Sequence, residues 1–435
     1  MKRWVVVVAL AFVGASGLLI WRHQRGVTRP PKHESADAIE KVTDPFDWLA
    51  EAGPVDTKLQ EDFWAWQQNV GRKRPKSFYA QAECQAWVFG ESMNPPASLT
   101  GILSDYEADL NELHEFLKQG SLRIGAAGWA AADKAGGKPP TAVRVANMFV
   151  LQTAAQAIAC SALLSHNIVD GLEDLDRLMR ASRRPRTQPD VATSNMLCNI
   201  RDDAYLSLVL RDRLPETKLT AWSQEERPCV EWVADSVHTE RLTLATMHPY
   251  SLAGAYVRAR GPRALLPAAR MALFGGNDLE IADRHLRQTE SWIRDRQGSM
   301  PSAKLAAGGM LSVVGRQTLS SADGMLASCL RNKNRHRLFA LGAKTVWFAR
   351  KHRQLPRDES ELLAWLQNGN ALAQRGDLLQ IRYENLGGGF RLSVDPSGPL
   401  PDYVRPSEPT RFGQPAQEPF WKQISPWNLE LRFRM

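Results

Sequence analysis

The sequence predicts a mainly α protein: a single N-terminal transmembrane helix, a helical-hairpin domain (solenoid-like or bundle), and a small α+β domain at the C-terminus. Three observations carry this. An uncharged apolar run extends from Trp4 to Trp21. From about residue 57 to residue 247, apolar residues recur at helical spacing with short Gly and Pro breaks. Near the C-terminus the spacing changes to the alternation of a strand. The 435 residues are 43% hydrophobic and 23% charged, the composition of a folded globular protein. Only the first segment is long enough to span, which excludes a multi-span transporter or channel.

Lys2 and Arg3 precede the apolar run, and Arg22 and Arg25 follow it. A helix rising about 1.5 Å per residue covers roughly 27 Å over that length, near the hydrocarbon thickness of a bilayer. Tryptophans at both ends suit the interfacial belt, and the flanking cations suit the headgroups. A cleaved signal peptide is the rival reading, because Gly14-Ala15-Ser16-Gly17 supplies small residues. Leu18-Leu19-Ile20-Trp21 continues the run past them without an Ala-x-Ala site, which favours an uncleaved anchor over residues 1–21. Cations on the two sides nearly balance and slightly favour keeping the large domain inside. A short tail ahead of a lone anchor nevertheless usually stays inside while the domain is exported. The expectation is a single-pass protein of the bacterial inner membrane with an extracytoplasmic soluble part. Residues 22–44, with Arg29-Pro30-Pro31-Lys32 and almost no apolar content, read as a polar linker.

The helical-hairpin domain is expected over residues 45–330, starting near Pro45-Phe46-Asp47-Trp48-Leu49. Residues 57–90 read as two short helices broken near Gly71-Arg72-Lys73-Arg74-Pro75, with Phe63, Trp64, Trp66, Phe78, Trp87 and Phe89 as packing groups. Leu103, Tyr106, Leu110, Leu113 and Leu117 mark one face of a helix whose other face carries Asp105, Glu107, Asp109, Glu112 and Glu115. The glycines of Gly125-Ala-Ala-Gly128 and Gly136-Gly137 make residues 120–140 a loop. Ala142 to Leu164 is apolar nearly all round, which predicts a helix buried on most sides. A short amphipathic partner follows with Asp170 as its N-cap, then helices over Asp190–Leu210, around Leu219–Trp222 after Pro215, and over Val230–Met247. Short loops between helices imply antiparallel hairpins.

From Arg335, Leu338, Leu341, Thr345 and Phe348 line a helix leading into His352-Arg-Gln-Leu355-Pro356 and Ser360-Glu-Leu362-Leu363. Ile381 and Tyr383, then Gly387-Gly388-Gly389, then Phe390, Leu392 and Val394 read as a β-hairpin. Leu429, Leu431 and Phe433 alternate with charged residues in a final strand. A small α+β domain is therefore expected over residues 331–435. The order of the central helices resembles a group of uncharacterised bacterial membrane-anchored proteins, and residues 335–363 resemble the soluble part of type II secretion pseudopilins. In pseudopilins that helix is contiguous with the membrane segment, whereas here residues 22–330 intervene, so assembly into a pilus is not implied. The central hairpins are distantly similar to tetratricopeptide units, but the Trp, Gly and Tyr positions are unmatched and no period of ~34 residues tiles the chain.

Several chemistries lack their residues. Gly136-Gly137-Lys138 is followed by Pro139 and lacks the upstream Gly of a phosphate-binding loop. His114-Glu115-Phe116-Leu117-Lys118 begins like a zinc-protease helix but has lysine where the second histidine belongs. No G-x-S-x-G occurs, and Ser302-Ala303-Lys304 has the wrong spacing for S-x-x-K. The five cysteines, Cys84, Cys160, Cys198, Cys229 and Cys329, include no C-x-x-C pair. Cys160 and Cys198 lie in apolar patterns where a buried thiol acts as a small hydrophobe. One or two disulfides fit this set, and the sequence does not pair them. No cofactor or metal is expected.

The densest polar cluster near the helical core is His238, Glu240 and His248, the place for an envelope hydrolase's site if one exists. The competing reading pairs Glu240 and Arg241 with neighbouring helices. The net charge of +8 is concentrated in an acid-free stretch carrying Arg331, Lys333, Arg335, Arg337, Lys344, Arg350, Lys351 and Arg353. Such a patch suits nucleic acid or anionic lipid, but exposed aromatics for base stacking are scarce, which argues against nucleic acid. The favoured role is a membrane-tethered scaffold, non-enzymatic, presenting a helical surface to a protein partner.

Overall fold

The computed structural model describes residues 55–73, 82–88, 92, 94–137, 145–165, 168–246, 269, 283–295, 322–367, 381–394 and 428–432. The expected anchor and linker lie outside them. Among the described residues no helix is long and apolar enough to cross a membrane. The protein is mainly helical, as the apolar spacing predicts. Contacts divide the chain into two compact units: residues 1–51, 186–188 and 230–324 form one, and residues 52–185, 189–229 and 325–435 the other.

The second unit begins with α1 (Thr57–Arg72), α2 (Ala82–Val88) and α3 (Ala97–Lys118). Asp56 caps α1, its Oδ1 accepting from the Leu59 amide at 3.0 Å. Phe63 and Trp66 stack with ring centroids 5.5 Å apart, and both meet Phe116 of α3 edge-on. These aromatics are core, as their spacing implies. Asp109 departs from the solvated face expected of it: it is buried, and Lys73 Nζ binds its two carboxylate oxygens at 2.7 and 2.8 Å.

The loop expected over residues 120–140 is instead largely a helix, α4 (Ala126–Ala135). Its alanines are strong helix formers, and Gly128, inside it, serves packing rather than turning. Gly125 enters at φ +116°, and the Asp190 carboxylate accepts from the Ala126 amide at 3.1 and 3.2 Å. A side chain at Gly128 would meet the Arg123 carbonyl oxygen at 2.5 Å. Trp129 packs edge-on against Trp64 of α1 at 5.2 Å.

α5 (Met148–Leu164) and α6 (Ile168–Ala181) form the tightest helical hairpin of this unit. Asn147 caps α5 through the Val150 amide at 3.3 Å. Asp170, expected as the cap of α6, lies inside its first turn. α7 (Gln188–Leu210), α8 (Glu216–Ser223), which follows Pro215, and α9 (Cys229–Thr246) match the expected helices to within three residues at their starts.

α10 (Ala322–His352) runs unbroken through position 331, so the domain boundary expected there falls inside a helix. The change in composition at that position is a change of charge without a change of backbone. After α11 (Glu359–Gln367), β1 (Ile381–Asn385), β2 (Gly389–Val394) and β3 (Asn428–Arg432) make an antiparallel sheet in the order β1-β2-β3. Phe390, Leu392, Leu429 and Leu431 are buried, alternate residues on one face. Gly342 lets α10 settle on that face, since a side chain there would meet Leu429 at 2.7 Å.

Candidate functional site

His238 and Glu240 both sit on α9, two residues apart. That spacing rotates side chains about 200° around a helix, so they do not face each other. His238 Nδ1 meets Glu290 at 3.1 Å, and the same carboxylate pairs with Arg241 at 3.1 Å and Arg294 at 3.2 Å. Glu240 accepts instead from Gln188 Nε2. Burial pushes the Glu240 carboxyl up to about 7, with the Gln188 bond opposing. The expected pairing of Arg241 with a neighbouring segment is present, whereas Glu240 finds an amide. His248 lies outside the described residues. His114 pairs with Asp174 of α6 at 2.6 Å. Among the described residues no group of three or more His, Cys, Asp and Glu side chains gathers as metal ligands.

The basic stretch is largely absorbed by the fold. Arg335 pairs with Asp203 of α7 and lies over the Phe339 ring at 4.3 Å. Arg350 donates to the Val209 and Leu210 carbonyls at 2.5 and 2.8 Å, completing the end of α7. Lys344 is buried, and desolvation pushes its ammonium down to about 8. Arg331, Lys333 and Arg337 are half-buried. Lys351, 4.8 Å above the Trp347 ring, and Arg353 are exposed.

A second cluster, unread in the sequence, centres on Arg201-Asp202-Asp203 in the middle of α7. Asp202 has no exposure. It receives Arg227 Nη2 at 2.6 Å, Trp222 Nε1 at 2.9 Å and His336 Nδ1 at 3.1 Å. Burial alone would raise its carboxyl, but Arg227 and His336 outweigh that and hold it well below the usual carboxylate range. Burial, aided by Arg227, lowers His336 from the usual imidazole range, while its Nδ1 faces Asp202. The His336 Nε2 atom is buried without a hydrogen-bond partner. Asp203 is pushed up to about 6 by burial, with Arg335 opposing.

Beside this core an open pocket of about 320 Å³ is lined by Asp176, Arg180, Arg183, Arg201, Tyr205, Lys218, Trp222 and Glu225. Four cations face two carboxylates there. Arg201 pairs with Glu225, Lys218 with Asp176 at 3.0 Å, and Arg183 with Glu225 at 3.5 Å. The Tyr205 hydroxyl donates to Asp176 at 3.1 Å, and burial pushes it well above the usual phenol range. The Arg180 side chain is exposed and unpaired among the described residues. This lining can hold an anionic group. The one available signal was a charged triplet in the middle of a helix, followed directly by the apolar Ala204-Tyr205-Leu206. Comparison with protein-family models, curated proteins and solved structures finds no match.

Proposed function

We propose that the chain is a membrane-tethered helical interaction protein of the bacterial cell envelope. In this reading it binds a protein partner rather than performing catalysis, with residues 4–21 in the inner membrane and the soluble part outside. The apolar run with its flanking cations supports the anchor. A long helix laid on a small antiparallel sheet supports the similarity of the C-terminal part to pseudopilins.

The observation that carries the binding reading is the division of the ionisable groups. His238, Glu240, Asp202 and His336 are each engaged in buried or half-buried contacts, with Glu290, Gln188 and Arg227 as partners. Arg180, Arg183 and Lys218 instead border an open pocket with an excess of positive charge. A cationic rim of this kind attracts an acidic segment of a partner and orients it on encounter.

Charge reversal of the rim tests this reading. In the R180E/R183E variant, membrane association and thermal unfolding should stay unchanged, while crosslinking of a partner to a photoreactive residue at Ala221 is lost. A hydrolase built on His238, Glu240 and His248 predicts the reverse: Glu240→Gln would fold and fail to complement a deletion strain, and R180E/R183E would complement it. Nucleic-acid or anionic-lipid binding through residues 331–353 has less support, because Arg335, Lys344 and Arg350 are taken up within the fold. Location is tested by labelling a single engineered cysteine near Asp44 with a membrane-impermeant reagent in intact cells. Labelling supports export; protection until lysis overturns it.

A further inference from the structure

We propose that four of the five cysteines form two disulfides, Cys84–Cys160 and Cys229–Cys329, and that Cys198 stays a thiol. All five are buried. Cys84 on α2 and Cys160 on α5 hold their sulfurs 4.0 Å apart, although 76 residues separate them in sequence. Cys229, at the start of α9, donates its thiol proton to the backbone carbonyl of Cys329 at 3.2 Å, although 100 residues separate them. The Cys329 sulfur accepts from Asn195 Nδ2 at 2.8 Å. The Cys84 and Cys160 sulfurs reach the bonded separation of about 2.05 Å by side-chain rotation and a small approach, and the Cys229 thiol, already on the backbone of Cys329, reaches that residue's sulfur by turning about its side-chain bond. Cys198 has no sulfur within hydrogen-bonding reach among the described residues, and burial pushes its thiol up to about 11.

Each pair is also chemically asymmetric. Cys84 is lowered by its contact with the Cys160 thiol, and Cys329 by its contact with Cys229, with burial opposing in both. Their partners, Cys160 and Cys229, are raised well above the usual thiol range by the same contacts and by burial.

The oxidant is a disulfide, either of a thiol oxidoreductase or of oxidised glutathione. The Cys84 thiolate attacks one of its sulfurs, breaking that S–S bond, expelling one thiolate and forming a mixed disulfide. Cys160, losing its proton, attacks the Cys84 sulfur and expels the second thiolate, so the donor leaves as two thiols carrying the two electrons and two protons. Cys329 and Cys229 follow the same steps. The exchange belongs to folding, because the finished fold buries all four sulfurs. Its occurrence in cells rests on the exported placement proposed above, whereas the pairing rests on the nearness of the two residues of each pair in the fold.

The test is synthesis of the full chain in a cell-free system with lipid nanodiscs and a glutathione redox buffer, so that oxidant is present during folding. After acid quenching and alkylation under denaturing conditions, non-reducing peptide mapping should find the two named crosslinks and alkylated Cys198. Cys198→Ser should leave that map unchanged. Five alkylated cysteines, other pairs or a Cys198 crosslink overturn the proposal. The same mapping on protein acid-trapped from its own membrane reads the compartment. Both bonds there support the pairing in the cell. Five thiols there, with both bonds formed in vitro, leave the pairing standing and overturn export.

Discussion

α5 and α7 are buried to a similar degree and held in place by opposite means. In α5, Leu151, Ala155, Ala157, Ala159 and Cys160 are fully enclosed, and small apolar side chains let neighbouring helices approach closely. In α7, Ala204, Leu206 and Leu208 are equally enclosed, but so are Asp202 and Ser207, with Arg201 and Asp203 nearly so. Burying those charges carries a large desolvation cost, offset only because Arg227, His336, Glu225 and Arg335 arrive to complete the pairs. α5 is thus sensitive to size and α7 to charge. The ion network of α7 adds less to stability than to fixing which helices surround it.

The largest expected effect comes from breaking that network on one side. Arg227→Met leaves Asp202 charged, without exposure and without its guanidinium, and should lower unfolding free energy by about 3–5 kcal/mol in urea titrations. Removing both partners in R227M/D202L should recover much of the loss. A single-variant loss below about 1 kcal/mol, the range of an exposed pair, would mean that water reaches the site.

Glu240 tests a buried carboxyl without a counter-charge. Its folded-state value of about 7 lies above the ordinary 4.5, so the folded protein keeps a proton that the unfolded chain releases. The stability this group contributes is complete below 4.5 and is lost as pH rises through 7. Glu240→Gln, which cannot ionise, should match the parent near pH 4 and exceed it by up to about 3 kcal/mol at pH 8. Equal stability of the two at pH 8 would show a solvated carboxylate.

The sequence was legible where a local pattern sufficed. Phe63 and Trp66 in α1, the leucines of α3, and the alternation of Phe390 and Leu392 in β2 each declare a buried face by period. It was misleading where a distant partner decides. Gly128 looks like a turn residue, yet it lies within a helix and admits the Arg123 carbonyl, and what fixes the start of that helix is the distant Asp190 carboxylate. The cations from Arg335 to Arg350 look like a solvated surface because Asp203 and the end of α7 lie more than a hundred residues upstream. The divergence of His238 and Glu240 was readable from helical geometry alone. The thiol pairs were not, since the meeting of cysteines 76 and 100 residues apart is a property of the finished fold.

Glycines give the smallest and sharpest test of the comparison, because the same substitution should have opposite signs in two helices. Alanine gains up to about 1 kcal/mol over glycine in a helix interior, since the unfolded chain has less freedom to lose. At Gly101 in α3, an added methyl meets nothing within 4 Å, so Gly101→Ala should stabilise by most of that amount. At Gly171 in α6, the methyl would stand 2.6 Å from the Ala162 Cβ, inside van der Waals contact with α5. Neither partner is the far end of a flexible side chain, so the two helices must part. Gly171→Ala should therefore cost about 1–3 kcal/mol despite its better propensity. A double variant that also carries Ala162→Gly removes the overlapping methyl and should restore much of the loss, as measured by urea titration. If Gly171→Ala stabilised like Gly101→Ala, the hairpin would have slack at this crossing, and size would not be what holds α5 in place.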